Sequence, residues 1–135
     1  METQITKGIK ISVQTTFKGT SMSNHTLYYA FSYTIIIENR SNEKVQLTDR
    51  HWEIFDSLNQ TEIVTGEGVV GQSPILKPSE KYTYTSGCFL TSNLGAMKGF
   101  YSMTNQVTFK QFKVMIPTFQ LTNPLSLNYD LKKGF

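Results

Sequence analysis

Six residues, Gly66-Glu67-Gly68-Val69-Val70-Gly71, spell G-x-G-x-x-G, the spacing with which a dinucleotide-binding fold lets backbone approach a pyrophosphate at a helix N-terminus. That chemistry needs a helix directly behind the last glycine. The continuation Gln72-Ser73-Pro74-Ile75-Leu76-Lys77-Pro78 holds two prolines that cannot open one, and no βαβ pattern precedes the motif. A weaker version survives, because consecutive backbone amides of a glycine loop can cradle phosphate or pyrophosphate as an anion nest. The plainer reading gives the glycines to a bulge or a tight passage between sheets. A second group, Asp49, His51 and Glu53, shares one strand parity. On a regular strand these three project from the face opposite Trp52, and two carboxylates with an imidazole form a ligand set for a divalent cation such as cobalt. An Asp-His-Glu row on a sheet face is also ordinary solvated surface. His25, in the Ser/Asn-rich stretch 20–26, is too remote in sequence to be counted with them.

Catalytic chemistry finds less support. Cys88 has no base beside it in sequence, and Ser-Gly-Cys at a strand end reads as a small buried residue; a Cys88 and His51 pair would require the fold to bring them together. The carboxylates Glu53, Asp56, Glu62 and Glu67 form no evident acid-base couple, because nothing in the pattern sets two pKa values apart. The chain is therefore expected to be no enzyme and to carry no cofactor, with a weakly held divalent cation or phosphate as the exceptions to test.

The elements that must position these groups read as strands. Ile9, Ile11 and Val13 take one face while Lys10, Ser12 and Gln14 take the other. Tyr29, Phe31, Tyr33, Ile35 and Ile37 alternate with Ala30, Ser32, Thr34, Ile36 and Glu38, and the turn cluster Asn39-Arg40-Ser41-Asn42 stops the run. A third segment opens with Val45 and Leu47 inward, yet by Trp52 and Ile54 the apolar face has changed parity. A β-bulge or a crossing between sheets near Asp49-Arg50 would absorb the extra residue. Further strands are expected over 62–65, 81–86, 96–103 and 107–116, spaced as in a sandwich or barrel. Leu76-Lys77-Pro78-Ser79-Glu80-Lys81-Tyr82 has the leucine, proline and tyrosine spacing of a corner between the sheets of an immunoglobulin-like domain, where the tyrosine hydroxyl can bond back to the turn. The predicted fold is all-β, an immunoglobulin-like or fibronectin type III-like sandwich of about seven or eight strands. It occupies residues 1–123, with 124–135 as a C-terminal tail.

Composition narrows the function classes. At 135 residues the chain is one domain, able to bury roughly two-thirds of its unfolded surface. The lone Cys88 cannot pair within the chain, which points to a reducing compartment such as the cytoplasm. METQITKGIK has no apolar signal core, and no stretch approaches the roughly 20 apolar residues of a spanning helix, so no membrane insertion is expected. Two N-x-T triplets, at Asn24 and Asn59, are then simply turn residues. The net charge of +3 is mild and the basic residues are dispersed, which argues against a nucleic-acid footprint.

ISVQT from Ile11 to Thr15, Arg50-His51-Trp52, GEGVVG, the LKPSE corner, Tyr84-Thr85-Ser86-Gly87-Cys88 and the run Gly95, Met97, Gly99, Tyr101 resemble the ApaG family in order and spacing, over about residues 5–121. One departure is Ser79, where the family usually carries glycine. The resemblance implies a fibronectin type III-like sandwich in a bacterial cytoplasmic protein linked by genetics to cobalt tolerance and magnesium efflux. It also implies a partner-binding role, since the same domain occurs in eukaryotic F-box and polymerase-interacting proteins. The expected function is thus a non-enzymatic interaction module that engages a protein partner, indirectly tied to cobalt and magnesium homeostasis. Its contact region would be the loop of Gly66, Glu67, Gly68, Val69, Val70 and Gly71, with Val69 and Val70 as anchors. The alternative is a sensor that binds pyrophosphate or a dinucleotide polyphosphate in that loop. Open sheet edges would also allow a homodimer.

Overall fold

A computed structural model describes residues 1–124. Nine strands follow one another as β1 (Glu2–Thr6), β2 (Ile9–Ser23), β3 (Thr26–Asn39), β4 (Val45–Asp56), β5 (Glu62–Glu67), β6 (Ile75–Leu76), β7 (Lys81–Leu90), β8 (Leu94–Asn105) and β9 (Gln111–Thr122). They form two antiparallel sheets, β1-β2-β3-β7 and β5-β4-β8-β9, with β6 added to the edge of β4. The alternating residues close the core between them. Ile9, Ile11 and Val13 meet Phe31, Tyr33, Ile35 and Ile37 from one sheet, and Trp52, Met97, Tyr101 and Phe119 face them from the other. Trp52 packs edge-on to Phe119 at 5.9 Å and tilted against Tyr33 at 5.5 Å, an aromatic centre in which the ring quadrupoles favour such angled contacts. The fold is the anticipated sandwich, with nine strands instead of seven or eight.

The parity change in β4 is real, and its bulge lies one residue earlier than expected. Register with β8 shifts between Leu47 and Asp49, so the extra residue is Thr48. Two other differences are local. β1 adds to the edge of β2, a pairing that the polar segment Glu2–Thr6 gave no apolar signal for. The last strand starts at Gln111 instead of 107, because the Asn105 side chain accepts the Val107 and Thr108 amides at 2.8 and 3.1 Å and holds that stretch in a turn.

Two buried polar residues tie the ends of the sandwich. Asn39, wholly buried, donates its amide to the Glu43 and Leu76 carbonyls at 2.8 and 3.0 Å and accepts from the Ser41 amide at 2.9 Å. Its own backbone carbonyl takes the Ser79 amide at 2.7 Å, so Asn39 closes the corner between β6 and β7. The expected bond from the Tyr82 hydroxyl is not what holds this corner. Lys77 to Glu80 form a turn in which Pro78 precedes Ser79 at φ 73°, the type II geometry that favours glycine at its third residue. At the other end, Asp56 accepts the Thr91 amide and hydroxyl at 2.6 and 2.8 Å, the Ser92 hydroxyl at 2.7 Å and the Leu58 amide at 3.1 Å. This carboxylate joins the turn after β4 to the turn after β7. Burial raises its pKa, but the four donors outweigh burial and leave it below the ordinary value.

The sandwich is closed on one side only. β1 packs across to β9, where the Met115 amide donates to Thr6 Oγ1 at 3.2 Å. On the opposite side the edge strands β5 and β7 belong to different sheets and share no ladder. The predicted tail, 124–135, lies outside the described residues apart from its first.

Two measurements check these ties. Because the folded pKa of Asp56 is depressed, its contribution is complete above the ordinary carboxylate range and is lost as pH falls through the folded value. Asp56→Asn should cost about 2 kcal/mol in urea denaturation at neutral pH, and should flatten the loss of stability below about pH 4. Ser79→Gly should gain about 0.5 kcal/mol, since relief of a left-handed serine exceeds the added freedom of the unfolded chain. An unchanged midpoint would show that the turn carries no strain.

Candidate functional site

The bulge at Thr48 turns Arg50 to the same inner side as Trp52 and Ile54. There the two sheets splay apart and leave a cavity of about 500 Å³ between β5 and β7. Trp52, Ile54, Val64 and Met97 form its apolar wall, and Tyr33, Tyr84, Ser86 and Cys88 line it from the other sheet. Val70 and Phe89, 61% and 66% exposed, stand at its mouth.

Arg50 is the one guanidinium in this space. Its Nη1 donates to the Glu67 and Gly68 carbonyls at 2.9 and 3.1 Å. The guanidinium lies flat over Gly66, where a Cβ would come within 2.9 Å of Cζ, so a side chain opposite Arg50 in the β4–β5 pair would displace the guanidinium from this position. Burial pushes the pKa of Tyr33, Tyr84 and Tyr101 up, which keeps all three hydroxyls neutral donors. Tyr84 and Tyr101 share a buried hydroxyl-hydroxyl hydrogen bond, and Tyr33 stands opposite Ser86 in the β3–β7 pair. Cys88 is not an activated thiol. Burial, with the charges of Glu62 and Asp56 adding to it, pushes its pKa up to about 11, and its Sγ rests 3.9 Å from Met97 Sδ.

The glycine loop serves this arrangement with its carbonyls, while its Gly68 and Val69 amides are spent elsewhere. The Gly68 amide donates to the Thr48 carbonyl at 2.8 Å, and Val69 and Gln72 exchange amide bonds at 2.7 and 2.9 Å. Between them Val70 and Gly71, at φ 47° and 76°, make a two-residue turn. Two of the amides that a nest over 66–71 would use, those of Gly68 and Val69, are thus engaged, and β6 rather than a helix is the next element. The paired-anchor reading also needs correction. Val69 is 1% exposed and part of the core, because its bridge to Gln72 turns it inward, so only Val70 is available at the tip.

Asp49, His51 and Glu53 do share the outer face, as their parity required, but they do not converge. Alternate residues on an extended strand are roughly 7 Å apart, which puts Asp49 and Glu53 about 13 Å from each other. Among the described residues no three His, Cys, Asp or Glu side chains are grouped to hold a metal ion. His51 instead stacks on Phe100 at 4.7 Å and lies 3.9 Å from Glu53, while Lys113 covers the Phe100 ring at 4.4 Å. His51 and Cys88 are on opposite sides of the β4 sheet, so they form no couple. His25 sits in the β2–β3 hairpin turn with Asn24, both at positive φ. Arg50, Tyr33 and Tyr84 were not singled out as site residues from sequence. For Arg50 the available signal was its parity with Trp52 beyond the bulge, which puts a charge on an otherwise apolar face.

A two-sheet sandwich of this order, closed at β1 and β9 and open at β5 and β7, is a fibronectin type III-like domain. The ApaG domain family model matches residues 19–105. Protein ApaG of Methylorubrum populi is 42% identical over 119 residues, 88% of this chain and 91% of that protein. Protein ApaG of Beijerinckia indica is 41% identical over 126 residues, 93% of this chain and 96% of its own. The crystal structure of an ApaA protein from Bordetella pertussis superposes with a TM-score of 0.76 at 34% identity, covering 86% of this chain and 94% of that one. A structural-genomics X-ray structure gives 0.82 at 37% identity, over 87% and 88% of the two chains. The chain belongs to the ApaG domain family.

The loop geometry predicts unequal costs for two alanines. At Gly68, φ +61°, a Cβ would lie 2.1 Å from the Gln72 carbonyl oxygen; at Gly71, φ +76°, it would meet nothing within 4 Å. Gly68→Ala should therefore cost more than about 2 kcal/mol by urea denaturation and Gly71→Ala only about 1 kcal/mol. Equal costs would mean that the Gly68 turn can relax.

Proposed function

We propose that this domain is a non-enzymatic interaction module of the cytoplasm, whose open side receives an extended segment of a protein partner along the edge of β7. The edge itself carries the reading. β7 runs ten residues as KYTYTSGCFL, with no proline and no charge after Lys81, and among the described residues its outer side pairs with no other strand. Sheet edges are usually blunted by charges, proline or bulges, since unpaired amides and carbonyls recruit other strands. β5, across the gap, is blunted by Glu62 and Glu67 at its two ends. Beside the unblunted edge, Phe89 and Val70 offer apolar contacts, and strand addition draws affinity from main-chain bonds and specificity from such flanking side chains. On this reading, any effect on cobalt or magnesium passes through the partner, because the outer-face carboxylates and His51 do not gather into a site.

Panning a displayed library of linear peptides against the domain tests this. Selected peptides should perturb the backbone amides of β7 in NMR spectra and should lose at least tenfold in affinity, about 1.4 kcal/mol, on Phe89→Lys or Val70→Asp. Both side chains are exposed, so melting should be unchanged. Peptides indifferent to both substitutions would refute the site. A homodimer that the same substitutions dissociate would replace the partner with a second copy of this chain.

A further inference from the structure

The cavity behind this edge holds a cation that no described carboxylate pairs with directly, Glu62 being the carboxylate on the same lining. Arg50 is permanently protonated, and Nη1 is occupied by two neutral carbonyls. The donors on Nη2 and Nε have no partner among the described residues, and Arg50 takes part in none of their ion pairs. A half-buried charge is costly unless an anion and hydrogen bonds complete it. The free side of a guanidinium fork matches the two oxygens of a carboxylate.

A second donor faces the same space. Each tyrosine hydroxyl has one proton, and of the Tyr84–Tyr101 pair only Tyr84 lines the cavity. When Tyr101 donates to Tyr84, the Tyr84 proton is released toward a ligand acceptor. The rest of the lining sets Trp52, Ile54, Val64 and Met97 beside Ser86, Cys88 and the Glu62 carboxylate, and about 500 Å³ is within the size range of small-molecule sites. One guanidinium, with the Glu62 carboxylate on the same lining, leaves room for no more than one added negative charge, which suits a monoanion with a hydrocarbon body against Trp52, Ile54 and Val64. A phosphate would want more donors, and the Gly68 and Val69 amides nearby are already engaged.

We propose that the β5–β7 cavity binds a carboxylate carried on an apolar or aromatic group, held by Arg50 with Tyr84 as second donor. This goes beyond strand addition at β7 and does not depend on it. The carboxylate could belong to a free small acid or to the end of a peptide, and the two sources are separable. Trp52 is the single tryptophan of the chain and lines the cavity, so its emission reports occupancy directly.

Phenylpropionate should change Trp52 emission saturably, while phenylpropionamide should bind at least tenfold more weakly. A short peptide ending in phenylalanine, compared with its amidated form, makes the second arm. A charge preference in either arm supports the site and names the source. Arg50→Gln should erase that preference, and Arg50→Lys, which keeps the charge without the fork, should restore only part of it. Acid and amide acting alike on the wild type, or silence of both arms at millimolar concentration, would overturn the proposal whether or not the variants fold. Loss of peptide binding at β7 with the acid preference intact would instead remove only the strand-addition reading.

Discussion

The extra residue at Thr48 governs what this molecule can do. Before it, β4 turns Val45 and Leu47 to the core; after it, Arg50, Trp52 and Ile54 face inward and Asp49, His51 and Glu53 face out. Without that shift the same strand would bury Asp49 and His51 and expose Trp52, since a slip of one residue exchanges the two faces of a strand. The aromatic centre and the cationic cavity therefore share a single cause. Thr48 is itself tied down, with its hydroxyl on the Ser102 carbonyl at 3.1 Å and its carbonyl on the Gly68 amide at 2.8 Å.

The asymmetry of the sandwich follows from how its ends are held. Asn39 and Asp56 gather turns from both sheets at opposite ends, so the sheets are joined there by hydrogen bonds that exclude water. Between those ends, β1 seals one long side against β9. Among the described residues the other long side has no such strand, and the sheets separate around Arg50 and the tyrosines. A gap of this kind would be a loss of packing in a protein that only had to be stable. Here it coincides with an unblunted strand edge, a guanidinium bonded only to neutral carbonyls, and exposed Phe89 and Val70.

Much of the scaffold was legible in sequence because period-two alternation is a local property. The runs from Ile9 and from Phe31 identify their buried faces without reference to any partner. The parity break in β4 was visible for the same reason, although its position was off by one. Where the signal was not local, the reading missed: β1 has no alternating apolar face, and the start of β9 depends on an Asn105 cap. The candidate site was less legible still. G-x-G-x-x-G attracts attention as a motif, yet its work is to admit the Arg50 guanidinium at Gly66 and to turn tightly at Gly68. Shared parity of Asp49, His51 and Glu53 was correct as a statement about a face and insufficient as one about convergence.

By itself, then, the order of residues determined two things: that the chain is a layered stack of strands, and which side chains point inward along each long strand. Both follow from backbone geometry repeating every second residue. Which edges stay open, what Arg50 reaches, and that Val69 and Val70 part company at one turn were decided only in three dimensions. Those outcomes depend on contacts between strands far apart in sequence, with Thr48 against Ser102 and Asp56 against Thr91 among them, and no local pattern encodes such distances.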